Sequence, residues 1–133
     1  MEGKKVFIFV GLAVWISTAF CSEQNKVFDK EQICKAAISL LMGVEPKKIR
    51  IDKQDAGATY LSYWLANEKE RYGYKCKLIG NKIIWGSKGG RWRSQKEDSE
   101  LTFSVDNGIL EVVEKYKDES KAYDSRKFTS KEF

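Results

Sequence analysis

The chain has 133 residues and a formal net charge of +5 at pH 7, from 24 Lys and Arg against 19 Asp and Glu. It contains no histidine, which removes the commonest general base, the commonest metal ligand and every nucleophile that a histidine would activate. A chain of this length forms one domain of ordinary size and leaves no room for a second.

The first 21 residues have the pattern of a secretory signal peptide. Two lysines precede an apolar run over 6–16, and small residues follow at 17–19. The apolar stretch is shorter than the roughly 20 residues of a membrane-spanning helix. We therefore expect residues 1–21 to be removed, which leaves 22–133 as a single domain in the periplasm or outside the cell.

Two alternatives stay open for this segment. One is an uncleaved membrane anchor, and the other is a lipoprotein acylated at Cys21. The lipoprotein pattern has Gly, Ala or Ser before the cysteine, whereas Phe20 stands there in this chain. In each case Cys34 and Cys76 remain as the two cysteines of the folded region, and an even number in an exported chain predicts a disulfide between them.

One amphipathic helix of about 12 residues is predicted at the N-terminus of the mature domain. Asp29 and Gln32 have the spacing of a capping box, and Gly43 is a suitable residue just beyond the helix end. Cys34 lies at the edge of the apolar stripe. The stripe consists of Ile33, Ala36, Ala37, Leu40 and Leu41.

After Pro46 the pattern changes to that of strands. A short extended piece is indicated around Ile49 and Ile51, an apolar run covers 60–65, and Cys76 lies on the apolar side of an alternating strand. The apolar side of that strand has Tyr72, Tyr74, Cys76 and Leu78, and the other side has Arg71, Gly73, Lys75 and Lys77.

Two short polar turns indicate hairpins, and a last strand is suggested over 123–128. The turns are Gly80-Asn81 and Asp106-Asn107-Gly108. A helix with one apolar stripe packs best on a sheet with one apolar face. The sequence therefore predicts an α+β fold, in which one N-terminal amphipathic helix covers a five- or six-stranded antiparallel meander sheet and the Cys34–Cys76 disulfide joins the two layers.

The segment over 86–93 is the most unusual in composition, since it combines three glycines, three basic residues and a tryptophan. It matches no phosphate-binding loop. The simpler interpretation is a loop with Trp92 in the core and its arginines in water. The functional hypothesis is a recognition surface for an anionic partner. The proposed surface consists of Arg91, Trp92, Arg93, Lys88, Lys75 and Lys77.

Three classes of function remain. The leading hypothesis is a non-enzymatic binding or inhibitory module of the cell envelope, without a metal or cofactor. Its expected partner is an anionic envelope component or an acidic protein surface rather than a nucleic acid, because the chain is expected to be exported. The alternatives are an envelope-assembly protein that lends an edge strand to a partner and a small hydrolase that uses paired carboxylates. Carboxylates available for such a pair include Asp98, Glu100, Glu111 and Glu114.

Four segments of the chain also resemble a group of small exported proteins from Gram-negative bacteria. The segments are Ile33–Ile38, Tyr74–Trp85, Gly90–Arg93 and Leu101–Val105. The resemblance spans roughly residues 30 to 130. It implies a self-contained exported domain, and it implies no active site and no functional residue.

Overall fold

The computed structural model describes residues 28–55, 57–67 and 69–133. The predicted signal peptide over 1–21 lies outside the described residues, and so does Cys21, on which the lipoprotein alternative depends. Within the described part of the chain, no helix is both long enough and apolar enough to cross a membrane.

The helix α1 spans Lys30–Met42. Its first turn is closed by a capping box, in which the Asp29 side chain accepts from the backbone N–H of Gln32 and the Gln32 side chain accepts from that of Asp29. Gly43 ends the helix in the left-handed conformation, with φ at 69°, which glycine adopts without strain. The predicted start and end of the helix are confirmed.

Seven strands follow the helix in one antiparallel sheet. They are β1 (Arg50–Asp55), β2 (Ala58–Trp64), β3 (Arg71–Ile79), β4 (Lys82–Ser87), β5 (Ser99–Asp106), β6 (Ile109–Tyr116) and β7 (Asp124–Thr129). Each strand pairs with the next one along the chain, so the α+β class and the meander are confirmed. Short 3-10 helices lie at Pro46–Lys48 and Ser130–Glu132.

Two details of the predicted architecture were wrong. The sheet has seven strands and not five or six, because β1 and β7 at its two edges also pair with their neighbours. The helix is not N-terminal in the chain, since it begins at Lys30. Most residues of both edge strands are exposed and polar, which weakens their strand pattern in the sequence and discourages pairing with other chains.

The two predicted hairpins have turns of the types that suit antiparallel strands. Asn107 and Gly108 both have positive φ, at 51° and 74°, as a type I′ turn requires. Of the residues Gly80 and Asn81, only Gly80 has positive φ, at 61°, which fits a type II′ turn. These turns set the register of β3 against β4 and of β5 against β6.

One face of the sheet packs against α1 through a buried core. On this covered face Cys76 of β3 is bonded to Cys34 of α1, with the two Cα atoms 5.9 Å apart, so the predicted disulfide is confirmed. Both half-cystines are fully buried. Arg126 of β7 also reaches the helix, where it donates to the hydroxyl of Ser39 at 2.9 Å. The sheet residues of the core are Leu61, Tyr63, Tyr74, Cys76, Ile83, Leu101, Leu110, Val112 and Phe128.

Candidate functional site

The opposite side of the sheet from Cys76, which we call the open face, carries the basic residues of β3. Successive residues of a strand point to opposite faces. Tyr74 and Cys76 are buried on the covered face, so Lys75 and Lys77 lie on the open face, as the alternation predicted. Tyr72 was also expected in the core, but it is 44% exposed because it lies near the start of the strand.

Lys75 and Lys77 both contact the same aromatic ring. Their Nζ atoms lie over the indole of Trp92, at 4.6 and 4.3 Å from the ring centroid. These are cation–π distances. Trp92 is half-buried against the open face, so the simpler interpretation, with this side chain in the core, was wrong.

The loop after β4 holds Trp92 in this position by backbone contacts. Gly86 allows the close approach, because a Cβ at that residue would lie 2.4 Å from the carbonyl oxygen of Arg91. The backbone N–H of Arg93 then donates to the carbonyl of Trp85 at 2.7 Å. The loop thus runs beside the end of β4, where β4 does not pair with β5.

Arg91 and Arg93 flank the tryptophan, but they interact with an acid of the same loop. Arg91 donates through both terminal nitrogens to Asp98, at 2.8 and 2.9 Å, and Arg93 lies 3.9 Å from the same carboxylate. Arg93 also stacks over the ring of Trp85, with its Cζ 5.2 Å from the centroid. The guanidinium fork that could bind an external anion is therefore engaged at Arg91.

The ionisation of Arg91 and Asp98 follows from the two hydrogen bonds that join them. The hydrogen bonds from Arg91, aided by one from the backbone of Gln95, lower the pKa of Asp98 from 3.8 to about 2. The hydrogen bond to Asp98 in turn raises the pKa of Arg91. Both groups are charged at neutral pH, and their role in the described geometry is to fasten the loop.

A second aromatic and basic pair lies at the other end of β3. Trp64 of β2 is directly opposite Arg71 in the register, and the guanidinium Cζ of Arg71 is 5.8 Å from its ring centroid. Trp64 is 48% exposed. Between the two pairs Gly73 has no side chain, and the side chain of Lys88 runs across it, 3.3 Å from where a Cβ would be.

We call this set of six side chains the basic stripe. It consists of Trp64, Arg71, Lys75, Lys77, Lys88 and Trp92. In the described part of the chain its four cations form no ion pair with a carboxylate, whereas other cations of the sheet do. The paired cations are Arg50 with Asp52, Lys53 with Asp55, Lys82 with Glu100, and Arg126 with Glu45 and Glu132.

A buried hydroxyl lies beside the stripe without a partner. Ser62 of β2 is directly opposite Gly73 in the register, so it lies on the open face. It is only 1% exposed, and its Oγ has no hydrogen-bond partner among the described residues. A buried polar atom without a partner costs free energy, and natural structures contain few of them.

The carboxylates considered for hydrolysis do not form an evident catalytic pair. Asp98 and Glu114 line one small cleft of about 200 Å³, but Asp98 is bound by Arg91 and Glu114 accepts from the Ser99 hydroxyl at 2.6 Å. By register Glu100 and Glu111 lie on the other side of the sheet from Glu114. A larger hollow of about 630 Å³ beside the end of α1 has a single acid in its lining. No cluster suited to a metal ion occurs in the described ranges.

Sequence reasoning found part of this site and missed part of it. Lys75 and Lys77 contact Trp92, and Lys88 lies over Gly73 of the same strand, whereas Arg91 and Arg93 interact with Asp98. Trp64, Arg71 and Ser62 were not among the predicted site residues. The available signal was the alternation of β2, which places Trp64 and Ser62 on one face, but their register against β3 could not be deduced from the sequence.

Comparisons of this chain with protein-family models, with curated proteins and with solved structures find no match. The function must therefore be inferred from the chain's own residues. The features that bear on it are the unpaired cations, the two tryptophans and the buried serine of the open face.

Proposed function

We propose that this protein is a non-enzymatic binding module of the cell envelope that recognises an anionic partner through the basic stripe. The buried disulfide supports the envelope location, since disulfides persist in oxidising compartments outside the cytoplasm. In such a compartment the available anions are acidic glycans, lipid headgroups and acidic protein surfaces.

The observation that carries this proposal is the charge of the open face around β3. Lys75 and Lys77 converge on one indole, and neither has an acidic partner in the described part of the chain. Like charges held close together repel, and an anion that binds between them relieves the repulsion. Arg71 and Lys88 extend the same positive charge along β3.

The hydrolase alternative is not favoured by any single feature. A carboxylic acid that protonates a leaving group needs a raised pKa. The pKa of Asp98 moves in the opposite direction, because Arg91 stabilises its charged form. The assembly alternative needs an unprotected edge strand, whereas β1 is rich in charge and has a register shift between Ile51 and Lys53.

The test is binding of the purified protein to anionic probes of three kinds, measured at low salt. The probes are polygalacturonate, phosphatidylglycerol vesicles and polyglutamate, with dextran as the neutral reference. We expect at least one anionic probe to bind, and we expect Lys75→Gln with Lys77→Gln to weaken that binding about tenfold or more, as loss of two charge contacts should.

The matched control is Lys47→Gln with Lys121→Gln, which removes the same charge from two exposed sites away from the stripe. It should change affinity less than about twofold, apart from the screened effect of net charge. Equal losses in the two double variants, or no binding of any anionic probe by the parent, would contradict the proposed function.

A further inference from the structure

We infer that the basic stripe binds a linear acidic glycan, and that one carboxylate or hydroxyl of this glycan reaches the Ser62 hydroxyl. It would enter through the space over Gly73 that the side chain of Lys88 covers, which we call the notch. This inference rests on the proposed function and specifies its partner. It is carried by the position of the stripe on the sheet, by the spacing of its cations, by its two tryptophans and by the unpartnered hydroxyl of Ser62.

The stripe lies on the face of a central strand and not on an edge. β3 lies between two partners, since Arg71 to Cys76 pair with β2 on one side and Tyr74 to Ile79 pair with β4 on the other. An extended peptide therefore has no free edge of β3 to which it could add as a further strand. A partner on this face must be recognised through its own charged and hydroxyl groups.

The cations of the stripe are arranged in a row. Arg71, Lys75 and Lys77 occupy every second residue of the strand except at Gly73, where Lys88 crosses from the loop. Side chains on one face of a strand repeat at about 7 Å. Such a row fits a linear polymer with an anionic group on its repeating unit better than it fits a single compact anion.

The tryptophans are placed as stacking surfaces rather than as membrane wedges. Trp92 lies against Lys75 and Lys77 and is partly buried. Trp64 is packed beside Arg71 at the opposite end of the row. Indole rings combine apolar faces with a polar N–H. A sugar ring would pack its C–H face on an indole face that these cations do not cover, while its carboxylate reaches a neighbouring cation.

The notch supplies a specific contact for one sugar unit. Ser62 is directly opposite Gly73, and the space that a side chain at Gly73 would occupy is filled by the side chain of Lys88, whose Cδ lies 3.3 Å from the position of a Cβ. When Lys88 moves aside, the Ser62 hydroxyl can donate to a carboxylate or exchange hydrogen bonds with a sugar hydroxyl. This contact would satisfy the polar atom that the free protein leaves without a partner.

The decisive variant is Ser62→Ala, because its effects on folding and on binding should have opposite signs. Removal of an unpartnered buried hydroxyl should leave the melting temperature equal or higher. We expect the same change to weaken polygalacturonate binding about fivefold, the scale of one lost hydrogen bond. Ser104→Ala removes an exposed hydroxyl of β5 and should change neither quantity.

A second variant, Gly73→Ala, tests the notch from the other side. The three atoms nearest to the added Cβ all belong to the Lys88 side chain, at 3.3 to 3.9 Å, so a small shift of this side chain should let the fold tolerate the change. The added methyl group should nevertheless fill part of the notch and weaken polygalacturonate binding about fivefold, as Ser62→Ala should. If both variants bind polygalacturonate as tightly as the parent, the notch is not part of the site.

The partner class is tested by the same three probes at equal charge concentration. We expect polygalacturonate to bind at least about tenfold more tightly than polyglutamate or phosphatidylglycerol vesicles. Equal or tighter binding of the peptide or of the vesicles would overturn the glycan inference, while loss of that binding in Lys75→Gln with Lys77→Gln would leave the proposed function standing. If the parent binds none of the three, the proposed function itself is refuted.

Discussion

The two sides of strand β3 use alternate residues of one short sequence in opposite ways. On the covered side Tyr74 and Cys76 are buried, and both find partners inside the protein, in the hydroxyl of Tyr63 and in Cys34. On the open side Lys75 and Lys77 share one indole and find no acidic partner in the described part of the chain. The covered side stabilises the fold, and the open side leaves two lysines available to bind an anion.

The loop after β4 repeats this contrast over three residues. Arg91 and Arg93 are directed to Asp98, within the loop itself, whereas Trp92 between them lies on the lysines of β3. Arg91 and Arg93 therefore hold the loop in its conformation, and we call them with Asp98 the fixing side. Trp92 belongs to the basic stripe, and we call it the presenting side. A change on the fixing side should alter stability first, and a change on the presenting side should alter binding first.

The largest effect on stability is expected at the disulfide. Cys76→Ser should lower the free energy of unfolding by about 2 to 5 kcal/mol, because the bond restricts the unfolded chain and both cysteines are buried. Denaturant titration of parent and variant measures the difference. Because the disulfide lies on the covered side of β3 and the basic stripe on the open side, this variant should bind polygalacturonate as the parent does under conditions where both proteins are folded.

Cys34→Ser and the double serine variant are the controls for that measurement. All three variants should lose similar stability, since each removes the same bond. Labelling of the folded, non-reduced parent with a thiol reagent should find neither Cys34 nor Cys76 reactive. Two reactive thiols in the parent would contradict the bond, and a much smaller loss in either single variant would contradict its contribution to stability.

The sequence predicted the covered side of the molecule better than the open side. The helix limits follow from local rules, because Asp29, Gln32 and Gly43 act within one turn of the residues that they cap. The disulfide follows from counting cysteines and from the inward position of Cys76. The number of strands was underestimated because both edge strands are short and polar, so their alternation carries little apolar contrast.

The open side depends on contacts that no local pattern encodes. Asp98 engages Arg91 across an irregular loop, where neither helical nor strand periodicity relates the two residues. The approach of Trp92 to Lys77 depends on the path of the same loop over Gly86. Which residue of β2 lies opposite Gly73 depends on a register that a shift of one residue would reverse. These features require the three-dimensional structure.

A smaller effect is expected where Tyr74 meets Tyr63. Their hydroxyls lie 3.4 Å apart in the buried region beneath β3, so Tyr74→Phe leaves the Tyr63 hydroxyl without this partner. We expect a loss of about 1 kcal/mol in the free energy of unfolding. Tyr72→Phe, at the exposed start of the same strand, should cost less than about 0.5 kcal/mol. Equal costs at the two tyrosines would show that the hydroxyl contact contributes nothing.

The same tyrosine predicts a change of stability at alkaline pH. Burial raises the pKa of Tyr74 above its ordinary value of 10.0, and the contact with Tyr63 adds to this. Because the folded protein holds the neutral form, its stability is complete below pH about 10 and falls at higher pH. Tyr74→Phe lacks this group and should fall less steeply between about pH 9.5 and 11. Parallel curves for the two proteins would contradict the raised pKa.

The smallest effect is expected on the fixing side of the loop, at Asp98. Its folded pKa of about 2 lies below the ordinary 3.8, because Arg91 stabilises the carboxylate. The carboxylate therefore adds stability above pH about 4, and this contribution is lost as the pH falls towards 2. Asp98→Asn should melt slightly below the parent at pH 6, and the two melting temperatures should converge at pH 2. Asp118→Asn, in an exposed turn after β6, is the control and should show no such convergence.

Asp98→Asn also tests the division of the loop into two sides. If this variant abolished polygalacturonate binding while its melting temperature stayed unchanged, Asp98 and its arginines would belong to the presenting side. The division drawn from their contacts would then be wrong.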